Sequence, residues 1–421
     1  MNDSLNEISV FSPFKGQLIL EEVPGINHMN IPENSVNTIK GLDRTMYVYA
    51  PESGNYDAKQ TQVMMVLRDD DSFESAELLM KELRLDKLAE EKHFVLLFPN
   101  PIAKSWNYTE DINQDDDLGY FVRCFASLPK SKGKVAGFNG MIFYLATTEA
   151  TSTIVSLLAE KQPIDCTAMM LGKYPADYHN VKNGLRQPIN AWVYETNKEL
   201  QEYLIAVNQV GKKVVLDGCN KYTSKVNKNN YHFVSEKGLN TESIVNAWDL
   251  LFSESRRWRN DTHGTYQKRT NFSQWAFVSH VNDDSLGVNN GFKHTWYEYV
   301  PEHLKNTGRK APLLFYFHGG NCVPLYGAEQ SDWHRIAKKE NFIVVYPKAS
   351  FGKAWNVFND SQQPSDFDFV MALIKHMKKS YLIDETRIYI SGFSMGSMMT
   401  NALACVYPNV FAAAAPCNAQ H

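Results

Sequence analysis

The sequence predicts an α/β protein made of two tandem units, each with a mostly parallel β-sheet covered by helices on both faces. Three observations support this prediction. Apolar runs of strand length, such as residues 62–67, indicate strands that are buried on both faces of a sheet. These runs alternate with segments of helical spacing, such as residues 75–92, as expected for a parallel sheet. The same series of patterns then occurs a second time along the chain.

The first unit is predicted to cover residues 1–262, because the chain becomes polar around residue 260. The second unit then covers residues 263–421. In the first unit the predicted strands are 17–20, 41–51, 62–67, 94–99, 134–136, 167–171 and 189–194. The predicted helices are 75–92, 118–125, 141–160, 198–210 and 244–252.

The second unit repeats the first at a nearly constant spacing. Residues 291–301 match residues 41–51 at an offset of 291 − 41 = 250, with Gly, Thr, two Tyr and Pro in common. Further pairs follow in order: 313–317 with 63–67, 342–347 with 94–99, Trp355-Asn356 with Trp106-Asn107, and Gly392-Phe393-Ser394 with Gly137-Phe138-Asn139. We therefore predict an internal duplication. The tryptophan shared by both copies is predicted to have a packing role.

One pentapeptide, Gly392-Phe393-Ser394-Met395-Gly396, lies between an alternating strand and a helical segment. This order is typical of a nucleophile elbow, in which a sharp turn exposes a serine hydroxyl above the sheet. Small residues at 392 and 396 would allow the turn to approach the neighbouring strand and helix. Ser394 is the candidate nucleophile.

A second catalytic signal, His318-Gly319-Gly320, follows the first buried strand of the second unit. A glycine pair there allows backbone N–H groups to face an oxyanion, as in an oxyanion hole, and the N–H of Met395 would complete that hole. His318 is predicted to form a structural hydrogen bond. The first unit has the acidic run 69–71 at the equivalent place, and Asn139 instead of the serine, so it is predicted to lack a nucleophile.

Residues 291–421 resemble the α/β-hydrolase esterases of the polyhydroxybutyrate depolymerase and feruloyl esterase group. The motifs that carry the resemblance are His-Gly-Gly at 318–320, Trp-Asn at 355–356, Asp-x-Asp-Phe at 366–369, Tyr-x-Ile-Asp-x-x-Arg-Ile-Tyr at 381–389 and Gly-Phe-Ser-Met-Gly-Ser-Met-Met at 392–399. The resemblance implies two α/β-hydrolase-like units, the first degenerate. It also implies a Ser/Asp/His esterase that forms an acyl-enzyme on Ser394, with a small-molecule or polymer-borne ester as substrate. We predict no cofactor.

In this fold the catalytic acid and histidine follow the serine in the chain. We expect them beyond residue 421, which would make the second unit the N-terminal half of a catalytic domain and leave this chain with little or no activity. His421 is the nearest alternative base, and His232 would be a relic of a catalytic histidine in the first unit. His334 and His376 are predicted to be exposed or packing residues.

Two other functions stay open: a non-catalytic pair of scaffold units, and a serine peptidase of the same fold. An unpaired sheet edge in the second unit predicts self-association.

Charge and composition exclude several other classes of function. A net charge of −4 without a basic cluster argues against nucleic-acid binding, and no apolar run is long enough to span a membrane. The N-terminus lacks the features of a signal peptide, which predicts a cytoplasmic protein and leaves secretion open.

No metal site is predicted, because the six cysteines lack zinc spacing and the acidic runs 69–71 and 115–117 are interpreted as solvated loops. The cysteines are predicted to be buried thiols, with Cys405 and Cys417 able to pair in an exported protein. Asp366 and Asp368 are predicted to cap a helix.

Overall fold

The computed structural model describes residues 16–23, 42–52, 61–107, 117–128, 137–172, 187–195, 198–258, 263–270, 272, 275–304, 308–351 and 354–418. The chain divides into two compact units, residues 1–269 and 270–421. This boundary lies 269 − 262 = 7 residues after the predicted one. The additional residues include a short strand whose Tyr266 hydroxyl is buried in the first unit and donates a 2.8 Å hydrogen bond to the Thr167 carbonyl.

The first unit alternates strands and helices along most of its length. Its strands are β1 (Leu18–Val23), β2 (Arg44–Tyr49), β3 (Thr61–Leu67), β4 (Phe94–Pro99), β5 (Gly137–Ala146), β6 (Ala168–Leu171), β7 (Asn190–Val193), β8 (Val210–Leu216), β9 (Cys219–Ser224), β10 (Tyr231–Ser235), β11 (Ser255–Trp258) and β12 (Thr265–Lys268). Its helices are α1 (Phe73–Glu82), α2 (Leu85–Lys92), α3 (Asp117–Ser127), α4 (Glu149–Lys161), α5 (Lys198–Val207) and α6 (Thr241–Leu250).

Ten of these strands form one sheet in the order β1-β2-β4-β3-β5-β6-β7-β10-β9-β8. The central strands from β4 to β10 are parallel, whereas the outer pairs at both edges are antiparallel. The apolar runs predicted as strands buried on both faces are the central strands β3 and β4. The predicted α/β fold with a mostly parallel sheet is therefore confirmed.

One helix prediction in the first unit is wrong in part, and another helix is divided in two. Residues 141–146, predicted as the start of a helix, belong to strand β5, and helix α4 begins only at Glu149. A short apolar run fits a buried strand and a buried helix equally well, so spacing alone did not distinguish them. The helix predicted over 75–92 is divided into α1 and α2, because Arg84 has a left-handed backbone with φ of 53°. The strand predicted at 134–136 lies outside the described residues.

The second unit has one six-stranded sheet in the order β13-β14-β16-β15-β17-β18. Its strands are β13 (Val278–Asp283), β14 (His294–Tyr299), β15 (Ala311–Phe317), β16 (Ile343–Pro347), β17 (Ile383–Phe393) and β18 (Ala413–Cys417). Its helices are α7 (Pro324–Ser331), α8 (Trp333–Glu340), α9 (Asp366–Ser380) and α10 (Met395–Val406). All residues of β18 are exposed. Self-association through this edge stays a prediction.

The six strands of the second unit correspond one to one with the first six of the first unit's sheet. Both sheets also have the same irregularity in strand pairing. Between two successive residue pairs, the chain advances by two residues on β3 or β15 but by five residues on the partner strand, β5 or β17. With β3 and β15 superimposed at an offset of 250, β17 corresponds to β5 at an offset of 388 − 142 = 246.

This register corrects the sequence alignment at the elbow. Ser394 corresponds to Thr148, since 394 − 246 = 148, and not to Asn139. Asn139 lies near the beginning of β5, nine residues before the turn. The Gly-Phe dipeptide at 137–138 matched the elbow by composition only.

Within the described part of the chain, no helix is long and apolar enough to cross a membrane. All six cysteines are free; Cys405 and Cys417 are exposed and the other four are buried. The prediction of buried thiols therefore holds for four of the six.

Candidate active site

Ser394 lies in a sharp turn between strand β17 and helix α10. Its backbone has φ of 53° and ψ of −118°, a region that residues with a side chain rarely adopt. The Ser394 N–H donates a 3.0 Å hydrogen bond to the Cys417 carbonyl at the end of β18, and its side chain is exposed. The strained turn therefore presents the hydroxyl at the carboxyl edge of the sheet, where parallel α/β sheets bind ligands.

The glycines on either side of the turn are required by close backbone contacts. A Cβ atom on Gly396 would lie 2.6 Å from the Phe317 carbonyl carbon and 2.7 Å from the His318 carbonyl oxygen. A Cβ atom on Gly392 would collide with the Gly396 carbonyl group. Because these neighbours are backbone atoms, a larger residue at either position forces the turn or β15 to move.

The His318-Gly319-Gly320 loop lies directly beside the turn. A Cβ atom on Gly319 would lie 3.6 Å from the Ser394 Cβ atom, and one on Gly320 would lie 3.6 Å from the Met395 Sδ atom. Met395 is the first residue of α10, and the N–H groups of a first helical turn have no intrahelical acceptor. Backbone donors from the loop and from the helix can therefore point at an oxygen atom bound near Ser394.

His318 is a structural residue of this loop. The Ala349 N–H donates to its Nε2 atom over 3.2 Å, which puts the imidazole proton on Nδ1, where it donates to the Gly319 carbonyl over 2.8 Å. The ring is fully buried. Above it, the Trp355 Nε1–H donates to the His318 carbonyl over 2.7 Å. With both nitrogens engaged, His318 positions the loop and has no nitrogen left to accept a proton from serine.

Among the described residues, no imidazole forms a hydrogen bond with Ser394. His334 is buried and its ring contacts Trp275, with centroids 4.7 Å apart. His376 lies on α9 with its Nε2 atom near Glu298. His421 lies outside the described residues. The base that would activate the serine is therefore not found in the described part of the chain.

His232 lies inside strand β10 of the first unit, fully buried. Its Nδ1 atom is 3.0 Å from the Asn208 side-chain nitrogen, and its ring stacks on Tyr222. Burial lowers its pKa to about 3, so the ring stays neutral. This position inside a strand suits a packing residue of the sheet.

The turn at Thr148 in the first unit has none of the strain found at Ser394. Thr148 has an ordinary extended backbone with φ of −133°, and its hydroxyl accepts a 3.1 Å hydrogen bond from the Thr151 N–H at the start of α4. The two elbow glycines are replaced by Ala146 and Ala150. The turn serves as a helix cap.

A cleft of about 640 Å³ remains above this turn of the first unit. Its lining residues are Asp69, Thr147, Thr148, Glu149, Ala150 and Thr153. Asp69 takes the place of Gly319, so carboxylates face the site where the second unit has the glycine loop. This cleft disfavours a developing oxyanion.

The prediction that Asp366 caps a helix is wrong. The helix α9 is capped by Ser365, whose hydroxyl accepts a hydrogen bond from the Asp368 N–H over 3.1 Å. The Asp366 carboxylate is fully buried and accepts N–H bonds from Ser350 and Asn356 over 2.9 Å and 2.7 Å. Burial raises its pKa above the usual value. Asp366 therefore anchors the loop that carries Trp355.

Comparisons with known proteins agree with this architecture. The model of the prolyl oligopeptidase family matches residues 334–419. A bifunctional acetylxylan esterase/xylanase of Neocallimastix patriciarum is 38% identical over 121 residues, which are 28% of this chain and 17% of that protein. Poly(3-hydroxyalkanoate) depolymerase C of Paucimonas lemoignei is 33% identical over 144 residues, 31% of this chain and 32% of that protein.

Feruloyl esterase B of Talaromyces funiculosus is 32% identical over 126 residues, 28% of this chain and 34% of that protein. The chain thus spans between 17% and 34% of the length of these three relatives. Its sheet order and its similarity to named carboxylic ester hydrolases agree with the resemblance noted from the sequence motifs. The chain is therefore similar to carboxylic ester hydrolases of the α/β-hydrolase esterase group, and the segment that matches a family model lies in its second unit.

Proposed function

We propose that this protein is a serine carboxylic ester hydrolase whose nucleophile is Ser394. The observation that carries the proposal is the strained, exposed turn of Ser394 beside the Gly319-Gly320 loop. Strain of this kind is stored at functional sites. A scaffold protein would have no need of it.

In the proposed reaction the Ser394 Oγ atom attacks the ester carbonyl carbon, and its proton passes to a histidine base. The N–H groups of Met395 and of the Gly319-Gly320 loop stabilise the oxyanion. The alcohol leaves with the proton from the histidine, and an acyl-enzyme remains on Ser394. Water then adds to the acyl carbonyl by the same proton route and releases the acid. The histidine and its acid partner come from sequence outside the described residues.

The substrate is proposed to be a small-molecule ester or an ester carried by a polymer. The three relatives are named as an acetylxylan esterase, a poly(3-hydroxyalkanoate) depolymerase and a feruloyl esterase. A serine nucleophile can form an acyl-enzyme from any ester of these kinds. The match to the prolyl oligopeptidase family keeps a serine peptidase as the second candidate. An amide substrate tested beside an ester distinguishes the two.

We also infer that the two units arose by internal duplication and that the first one lost its catalytic role. The shared strand order, the shared shift between β3 and β5 and the equivalent tryptophan bonds support this inference. Trp106 donates to the Arg68 carbonyl over 2.9 Å, as Trp355 does to His318. The first unit would then serve as a scaffold or binding unit.

Hydrolysis of p-nitrophenyl acetate by the longest natural form of the protein tests the proposal. Ser394→Ala is expected to lower kcat/KM by at least a thousandfold, because it removes the atom that forms the acyl-enzyme. Thr148→Ala is the matched control and is expected to leave the rate unchanged. The 421-residue chain is expected to turn over the ester slowly or not at all. Full activity of the Ser394→Ala variant would refute the assignment.

A further inference from the structure

Two histidines and a buried glutamate from three separate elements meet near the edge of the second unit. His280 lies on β13, Glu298 on β14 and His376 on α9. The Nε2 atoms of His280 and His376 are 3.2 Å and 3.1 Å from the Glu298 Oε1 atom. The side chain of Glu298 is 1% exposed, whereas those of His280 and His376 are 22% and 24% exposed. An ion can therefore reach the imidazoles from solvent.

More nitrogen atoms converge on the Glu298 Oε1 atom than it can serve by hydrogen bonds. The Trp296 Nε1–H donates to the same oxygen over 2.8 Å, so three nitrogens lie within 3.2 Å of an atom with two lone pairs. The Tyr381 hydroxyl donates to the other oxygen, Oε2, over 2.8 Å. A cation between Oε1 and the two imidazoles would use one lone pair and leave the second for Trp296.

Asp283 orients His280 in the way that a metal ligand requires. Its Oδ2 atom is 3.2 Å from the His280 Nδ1 atom. At this distance the Asp283 carboxylate can accept the Nδ1 proton of His280. The His280 Nε2 atom then carries a lone pair that faces Glu298. Such carboxylate–histidine pairs are typical of zinc sites.

We propose that His280, Glu298 and His376 bind a divalent transition-metal ion, with Zn²⁺ as the best fit to this donor set. Two imidazole nitrogens and one carboxylate oxygen suit Zn²⁺, and bonds of 2.0–2.2 Å in a tetrahedron separate ligand atoms by about 3.3–3.6 Å. The nitrogen–oxygen distances of 3.1 Å and 3.2 Å are close to this range. The three ligands are far apart in the sequence, so no metal-binding spacing is visible there.

The site is particular to the second unit and lies away from the elbow. Glu298 pairs with Val345 as Val48 pairs with Leu97, so the first unit has a valine where the second has the buried carboxylate. A buried carboxylate is costly unless it is paired or coordinates a metal. Strands β16 and β15 separate β14 from β17. The ion would therefore join β13 and α9 across β14 and have a structural role.

Zinc binding by the full chain tests this proposal after the protein has been stripped with a chelator. Titration of Zn²⁺ against a chromophoric competitor is expected to show one site per chain, and His280→Ala and His376→Ala should each weaken it at least tenfold. Both residues are partly exposed, so these variants are expected to fold. Asp283→Asn is expected to weaken binding about 10- to 100-fold although Asp283 is not a ligand. Zn²⁺ should also raise the melting temperature of the wild type.

His303→Ala is the matched control, since His303 is an exposed histidine outside the cluster, and it should bind Zn²⁺ like the wild type. Circular dichroism of each variant shows whether it is folded. X-ray absorption at the zinc edge should show only nitrogen and oxygen ligands. A wild-type chain without a stoichiometric site would overturn the proposal. Equal affinity in folded His280→Ala, His376→Ala and His303→Ala chains would overturn it as well.

Discussion

The turn after β5 in the first unit and the turn after β17 in the second occupy the same place in two equivalent sheets. In the second unit the turn is strained, flanked by glycines and adjacent to a glycine loop. In the first unit it is relaxed, flanked by alanines and adjacent to Asp69. The indole bond from Trp106 or Trp355 to the loop is present in both units. Packing features are thus shared, whereas the strained turn and the glycine loop occur in one unit only.

This difference separates residues that maintain the fold from residues that serve catalysis. With only one copy, the elbow glycines and the tryptophan could not be distinguished as catalytic or packing residues. The first unit shows that the sheet tolerates alanine at both elbow positions once the turn is relaxed. The glycines at 392 and 396 are therefore requirements of the strained turn and not of the fold in general.

The largest effect on stability is expected from exchanging the glycine and alanine of the two turns. Gly396→Ala should destabilise the second unit by about 3 kcal/mol, because the added Cβ overlaps the Phe317 and His318 backbone. The equivalent change in the other direction, Ala150→Gly in the first unit, should cost about 0.5–1 kcal/mol for glycine in a helix. Urea unfolding of the full chain measures both. Equal costs for the two variants would contradict the comparison.

A smaller effect is expected from acid, and both units should show it. Burial lowers the pKa of His294 in the second unit to about 4 and that of His232 in the first to about 3. Each histidine is neutral in the folded chain and protonated when unfolded below its ordinary pKa of about 6.5. The histidine therefore does not lower the free energy of unfolding above about pH 6.5. Below that pH, this free energy falls until the pH reaches the pKa of the histidine in the folded chain. The expected loss between pH 8 and pH 5 is roughly 1–2 kcal/mol per histidine.

The variants His294→Gln and His232→Gln separate the two contributions. Each variant should reduce the loss of stability between pH 8 and pH 5 in its own unit and leave the pH dependence of the other unit unchanged. Unfolding in urea at pH 8 and pH 5, followed by pulsed hydrogen exchange at one labelling pH, resolves the two units. A variant that retains the full pH dependence of its unit would show that other groups cause the loss of stability.

The parts of the fold with strong local patterns were predictable from the sequence. The continuous apolar runs of β3 and β4 identified central strands, and the glycine spacing around Ser394 identified the turn. The strand β5 was missed because a run of six apolar residues has no distinctive period of its own. The equivalence of Thr148 and Ser394 required the register of paired strands. The sequence alignment had instead matched Ser394 with Asn139, because a Gly-Phe dipeptide precedes both residues.

Sites assembled by pairing and packing were not predictable in the same way. His280, Glu298 and His376 come together only because β13 pairs with β14 and α9 covers them. Asp366 seemed a helix cap because it precedes a helix, but its neighbour Ser365 takes that role and the carboxylate is turned into the core. In both cases the sequence shows the residue type, while its partners are decided by tertiary structure.

Covalent labelling with an alkyl fluorophosphonate tests the central claim most directly. In the longest natural form of the protein, peptide mass spectrometry should find the adduct on Ser394 and none on Thr148. The Ser394→Ala variant should not be labelled. An adduct in the first unit, or labelling of the Ser394→Ala variant at the wild-type rate, would contradict the account in which only the second unit has a nucleophile.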